Sequence, residues 1–487
     1  MDDPNKNPDE NQTPKPIFES IPQDGIVPEE VAPEITSSGE EVVEQQPDVP
    51  PPVPPVYEEN KTKYAFIAGG AIFFLLVLIF LMRIFFSAAP AKDVKLSYWG
   101  LWEEKEIMDP VIQDYQRKTP NVKIDYVKMA PQEYREKLLA RSKNGQGPDI
   151  FRFHNTWLPE IRELVTAVPQ TVMTNAEFEK TFYKIHQKDL KIENNYYGLP
   201  MEIDGLVLMY NEDLFKKIGI EAAPSNWDEL TEIVNKFSEA VDRSGNPITP
   251  GIALGTVSNV AHFSDILGLM LLQNGASLKT LDQPEASDAL QSYRKFAETP
   301  AKIWNEKMPN SIIAFAQEKV AMIFAPSWQV LTIKTINPEL KLKVVPVPSV
   351  PGSSPVSLAS YWVEGVSRYS KNQTEAWKFI RYLVEKDTLT KLHETQSKKR
   401  LFGEPYSRVD LAPLLAQHEF LGPVIRQAPN FSSIYGASRT YDNGLNDEIN
   451  QYFENAVNST IQGVSYREAM ITANNGIKQV LEKYKIQ

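Results

Sequence analysis

The 487-residue chain contains no cysteine. Disulfides, thiol nucleophiles, cysteine-bearing metal sites and anchoring through a lipidated cysteine are all excluded by that absence. Histidine is scarce: His154, His186, His262, His393 and His418 are the five, and no two stand at zinc-ligand spacing. There is no Walker-type glycine-rich phosphate loop and no Gly-x-Ser-x-Gly elbow. The run Asp442-Asn443-Gly444-Leu445-Asn446-Asp447 is rich in oxygen ligands but lacks calcium-loop spacing, so it reads as a turn. No metal, cofactor or catalytic residue is therefore expected. Carboxylates are abundant, and nothing singles out two of them as a glycosidase pair.

An excess of charge is also missing from most of the chain, despite a formal net charge of −12. Residues 1–60 hold 15 acidic side chains against Lys6 and Lys15, so that segment alone carries about −13. Apart from Lys61, Lys63 and Arg83, the remainder has 46 basic and 48 acidic residues. Such a balance gives no electrostatic footprint for nucleic acid and no polybasic patch for anionic lipid. The acidic segment holds 13 prolines and few large apolar residues, so burial cannot offset its ordering entropy. Pro50-Pro51-Pro52-Val53-Pro54-Pro55 favours extended polyproline II. Residues 1–62 are expected to be a disordered tail, serving as a solvated spacer or as a docking peptide for a cytoplasmic partner.

What stands out against these absences is one uncharged apolar run, Tyr64 to Met82. Its 19 residues would rise roughly 28 Å as a helix, close to the hydrocarbon thickness of a bilayer. Lys61, Lys63 and Arg83 flank it. A transmembrane helix over 63–86 fits this pattern better than a buried core helix, which would show a polar face. The long leader argues against a cleaved signal peptide, although Ala89-Pro90-Ala91 is similar to a cleavage site. Basic residues flank both ends, so the charge rule does not orient the helix. Residues 87–93 would form a tether reaching at most about 25 Å.

From residue 94 onward, strands alternate with helices. Val94, Leu96 and Tyr98 alternate as in a strand; Ile107, Met108, Val111, Ile112 and Tyr115 recur at helical spacing. Val122, Ile124 and Tyr126 form a second strand, Tyr134, Leu138 and Leu139 a second helical stripe, and Ile150, Phe151 and Phe153 a third strand. That order implies an α/β fold with parallel pairing, in which ligands sit beyond the carboxyl ends of the strands. Ser225 with Asp228 suggests a capping box ahead of a helix. About 390 residues exceed what one core usually serves, so two lobes with a cleft are expected. Tryptophans cluster at expected strand ends: Trp99 and Trp102 after the first strand, Trp157 after the third, Trp328 after Ala325-Pro326, and Trp362 beside Tyr361. Flat rings of this kind stack on the apolar faces of sugars while nearby polar groups bond the hydroxyls.

Several stretches resemble bacterial extracellular solute-binding proteins of ABC importers, the family that includes maltose-binding protein. They are Leu96-Ser97-Tyr98-Trp99-Gly100-Leu101-Trp102, Gly147-Pro148-Asp149-Ile150, Tyr197-Gly198-Leu199-Pro200 followed by Leu208 to Phe215, Ser225 to Leu230, and Phe315 to Met322. The resemblance covers Val94–Lys485. It implies a two-lobed, hinged, type II periplasmic-binding-protein fold and a receptor that does no covalent chemistry. It further implies a small-molecule solute, with carbohydrate foremost, and ABC permease subunits as partners. Lobe 1 would comprise 94–203 and 350–402; lobe 2 would comprise 204–345 and 406–487.

By position, Trp328 falls where the family places a sugar-stacking tryptophan, and Asp204 where an acid at the lobe crossing meets ligand. His154 and Asn155 occupy a polar pair, while Trp99, Trp102 and Glu103 occupy the first ligand loop. Tyr361, Trp362 and Glu364 follow the second crossing; Tyr435 and Tyr441 lie near the last aromatic slot. Trp157 completes the expected binding set. Asn155 departs from the family's acid, and a helix stands in place of the usual lipid-anchor cysteine. The resemblance puts the binding domain outside the cell and the tail inside. Other roles left open are a sensor reporting to the tail and a surface glycosidase.

Overall fold

The computed structural model describes residues 61–85, 92–241 and 247–486. The expected tail therefore lies outside the described residues save Lys61 and Thr62, as does the tether save Lys92 and Asp93. The chain forms two compact units, Met1–Ser87 and Ala88–Gln487.

In the first unit, α1 spans Lys61–Phe85, 25 residues. Its side chains are described over residues 66–80, where Phe66, Ile67, Phe73, Phe74 and Phe80 are exposed. Among the described residues no helix is long and apolar enough to cross a membrane.

The second unit holds two principal sheets. In the first, β1 (Val94–Gly100) runs parallel to both β2 (Val122–Lys128) and β3 (Ile150–His154). The strands Trp362–Val366 and Leu199–Pro200 then extend the sheet antiparallel to their neighbours. Between β1 and β2, α2 (Lys105–Lys118) buries Ile107, Met108, Val111, Ile112 and Tyr115, the stripe that the periodicity marks. Between β2 and β3, α3 (Tyr134–Lys143) buries Tyr134, Leu138 and Ser142, while Leu139 is half-buried. All five residues of β3 are buried, as expected for a strand covered on both faces.

The second sheet is wholly antiparallel, with Leu206–Asn211 between Met322–Pro326 and Leu342–Val345. The chain passes between the sheets several times. Gly205 bridges to Ala359, Glu202 bridges to Tyr406, and Ser357–Leu358 pairs with Phe431–Ser432. Glycine is needed at 205, since a Cβ there would lie 2.1 Å from the Leu358 carbonyl oxygen.

Helix ends follow local chemistry. The Trp227–Ser238 helix is capped by Asn226, whose side chain accepts from the Glu229 N–H, and not by Ser225. Glu229 accepts from the Ser225 N–H at 2.7 Å, so the start is held by Asn226 and Glu229 and not by the Ser225–Asp228 pair that the sequence suggested. The last two helices, Leu445–Ile461 and Tyr466–Lys483, are separated by Gly463 at φ +90°, a left-handed turn that suits glycine. Asp442 opens the first of them: its carboxylate accepts from the backbone N–H of Gly444 and Asn446. The oxygen-rich run is thus a helix-starting turn, and among the described residues no cluster could hold a metal ion.

Candidate functional site

Strand register brings the indoles of the first sheet together. Trp362 pairs directly with His154 across the antiparallel ladder. Their rings lie 5.1 Å apart. Trp157, just beyond β3, packs edge-on to Trp362 at 5.4 Å, and Trp102, just beyond β1, does so at 5.2 Å. Trp157 is buried, whereas Trp102 and Trp362 are half-buried. The indole N–H groups of Trp102 and Trp157 are buried without a partner. Trp99, also half-buried, stands apart from Trp362 and lies 6.4 Å from Tyr134. Trp328 is not in the cluster either. It is 41% exposed and packs against His262 at 5.9 Å.

Glu103 and Glu364 were expected to face ligand. Both are instead committed to Arg152, each 2.6 Å away, inside the first sheet. Burial pushes Glu103 up to about 8 against the pull of Arg152, and burial likewise raises Glu364. An unpaired Arg152 in an otherwise apolar strand would be prohibitively costly, which explains the two acids. Tyr361 is also buried, and its hydroxyl donates to Asp189 at 3.0 Å. These three side chains are occupied by internal partners.

Asp204 sits at the crossing, as expected, and its carboxylate accepts from the Gly205 N–H at 2.7 Å and the Ser327 hydroxyl at 3.0 Å. Burial pushes it up to about 7, with those hydrogen bonds opposing. It thereby fixes the start of the Gln329–Ile336 helix and the backbone beside Trp328. His154 bonds Thr156 Oγ1 at 2.8 Å through Nδ1 and Ser360 Oγ at 3.0 Å through Nε2. Burial lowers its pKa to about 4, so the ring is neutral at pH 7. Asn446 donates to the same Thr156 oxygen at 2.8 Å, linking β3's end to the C-terminal helix pair. Asn155 donates to Asp189 at 2.8 Å.

Sequence reasoning missed Asp189, His262, Asp265 and Gln329. Asp189 joins Asn155, Tyr361 and Ser433, three segments far apart in the chain. His262 bonds Asp265 at 3.2 Å and Ser438 at 2.8 Å, and its other nitrogen meets the Gln329 amide at 3.1 Å. The His262 and Asp265 spacing at a helix start was the available signal.

Beside the indoles lies a cavity of about 1140 Å³. Arg135, Asn155, Glu160, Ser433, Tyr435 and Tyr484 are among the residues that line it. Of the thirteen expected site residues, Asn155 and Tyr435 line this cavity and the others do not. Tyr441 is half-buried at φ +57° and lies outside that lining.

Comparison with known proteins follows from this geometry. The family model for bacterial extracellular solute-binding protein matches residues 111–398, more than half of the chain. A putative binding protein of Brucella abortus is 24% identical over 294 residues, covering 59% of this chain and 71% of the relative. The multiple sugar-binding protein of Streptococcus mutans is 21% identical over 324 residues, covering 63% and 75% respectively. Among solved structures, a cyclo/maltodextrin-binding protein complexed with maltotetraose superposes with a TM-score of 0.67 at 18% identity. That match covers 81% of this chain and 99% of the other, and it shows a shared two-lobed α/β fold.

Proposed function

Because the chain belongs to the bacterial extracellular solute-binding proteins, we propose that it is the membrane-anchored receptor of an ABC-type importer and that it binds a carbohydrate. The observation that carries this reading is the indole group at the ends of β1 and β3. Trp102 and Trp362 are half-buried there, and the indole N–H groups of Trp102 and the adjoining Trp157 have no partner. Apolar ring faces with a few fixed donors suit a sugar better than an ion. The relatives' names, one sugar-binding and one holding maltotetraose, point the same way.

In this reading the halves are 94–203 with 350–402, and 204–345 with 406–487. Each contains one of the principal sheets. Ligand enters between them, the halves hinge about the crossings near Gly205 and Ala359, and the closed form docks on permease subunits. Binding moves the open–closed balance only by its preference for the closed form. No covalent step is involved. The helix α1 acts as the anchor, with the tail inside and the binding unit outside, and the short tether raises the effective concentration near the permease.

Titrating the detergent-solubilised full chain with a panel of mono- and oligosaccharides by calorimetry tests the ligand class. Saturable binding of at least one sugar is expected, and heats at the level of dilution across the panel would contradict it. Carbonate extraction tests the anchor: the full chain should stay with membranes, and a chain lacking residues 61–85 should be released.

A further inference from the structure

The cavity beside the indole group has a different chemistry. None of Trp99, Trp102, Trp157, Trp328 and Trp362 lines it. Eight of its lining residues are Lys or Arg and four are Asp or Glu, in a unit whose sequence is close to neutral. Three of the eight are neutralised: Arg135 by Glu160, Lys191 by Glu179, and Lys483 by Glu448. Lys143, Arg162, Lys188, Lys279 and Lys485 form no ion pair among the described residues.

Two of the four acids are not free to repel an anion. Asp189 accepts hydrogen bonds from Asn155, Tyr361 and Ser433, and burial raises its pKa. The Glu160 side chain is 0% exposed, and burial pushes its pKa up to about 8, with the Asp442 charge adding to the effect. Its Oε1 accepts from the Leu445 N–H at 2.6 Å. Its Oε2 is buried and has no hydrogen-bond partner. That oxygen instead faces the Arg135 guanidinium at 3.5 Å, so the acid is committed to an internal cation.

We propose that this cavity is a second binding site, distinct from the indole group although Asn155 and Tyr435 of the expected carbohydrate residues line it, for a small polyanion bearing phosphate or several carboxylate groups. Arg162, Lys188, Lys279 and Lys485 all line it without an ion pair among the described residues. Lys143 adds a cation near the end of α3. The site needs no indole, so it stands whether or not the sugar reading holds.

Calorimetry of the full chain with inorganic pyrophosphate, and separately with citrate, at low ionic strength is the test. Saturable binding is expected for at least one of them, weakening with added salt. Arg162→Ala and Lys188→Ala should each weaken it about tenfold, the typical scale for a lost charge-assisted hydrogen bond. Lys123→Ala, on β2 and outside the cavity, should leave it unchanged. Both cavity substitutions are at exposed positions, so the thermal midpoint should not move and a folding defect would be visible as a shift. Absence of saturable binding by both anions, or binding that the two cavity substitutions leave intact, would overturn the proposal. Mutual exclusion between pyrophosphate and a bound sugar would overturn its separateness from the carbohydrate site.

Discussion

In the first sheet, the central strand Ile150–His154 carries Arg152 in its middle, held by Glu103 and Glu364 from neighbouring segments. In the second, Met322–Pro326 is buried along its whole length and apolar throughout. The indoles differ in the same sense. Trp102, Trp157 and Trp362 beside the first sheet cluster on one another and are partly or wholly buried, while Trp328 of the second is exposed on a helix start. The difference teaches that one half is a prebuilt platform whose buried charges are paired internally, while the indole N–H groups of Trp102 and Trp157 are left without a partner. The other presents a half-exposed ring whose recorded aromatic contact is His262. Damage to the first should therefore register as lost stability, and damage to the second as lost affinity.

Removing the cation of the platform is expected to have the largest effect. Arg152→Met leaves Glu103 and Glu364 buried without their partner, which should cost about 3–5 kcal/mol of unfolding free energy in chemical denaturation. An unchanged midpoint would mean that the acids, not the pair, govern this core.

The pH response of the platform comes next. His154 has a folded pKa near 4 against an ordinary 6.5, so the unfolded chain takes up the proton first. Its contribution to stability is complete above about 6.5 and is lost as pH falls toward 4. Thermal melts of His154→Gln should show a flatter acid limb over that interval; a limb parallel to the parent would remove His154 from the account.

On the second half, Trp328→Ala should cost about 1–3 kcal/mol of sugar affinity if the ring is a contact in the closed form. At its exposed position the stability change should stay within about 0.5 kcal/mol. The reverse pattern, affinity kept and stability lost, would erase the contrast between the halves. Smallest of all, Asn226→Ala removes the cap that accepts from Glu229 and should cost about 1 kcal/mol of stability, with sugar affinity untouched.

Much of the platform was legible in the sequence. The stripe Ile107, Met108, Val111, Ile112 and Tyr115 and the three leading strands follow from local periodicity, which needs no distant partner. That Trp102, Trp157 and Trp362 would fall near one another was also legible, because all three stand at expected strand ends. What escaped is set by contacts across long stretches of chain. Glu103 lies 49 residues from Arg152, and Glu364 lies 212 residues from it, so their carboxylates read as free groups until the sheet is assembled. Asp189 reads as a surface acid for the same reason, since Tyr361 and Ser433 reach it from 172 and 244 residues away. Arg152 is a lone cation in a strand of otherwise uncharged residues, a signal that the sequence reading passed over.

The central claim is that two halves close on an uncharged sugar. The absence of native cysteine makes it directly measurable, because a Lys123→Cys/Lys319→Cys pair can carry two spin labels, one on each half, without background labelling. The distance between them should shorten when a binding oligosaccharide such as maltotetraose is added and should follow its calorimetric saturation. A distance distribution unchanged by a saturating sugar would contradict the account.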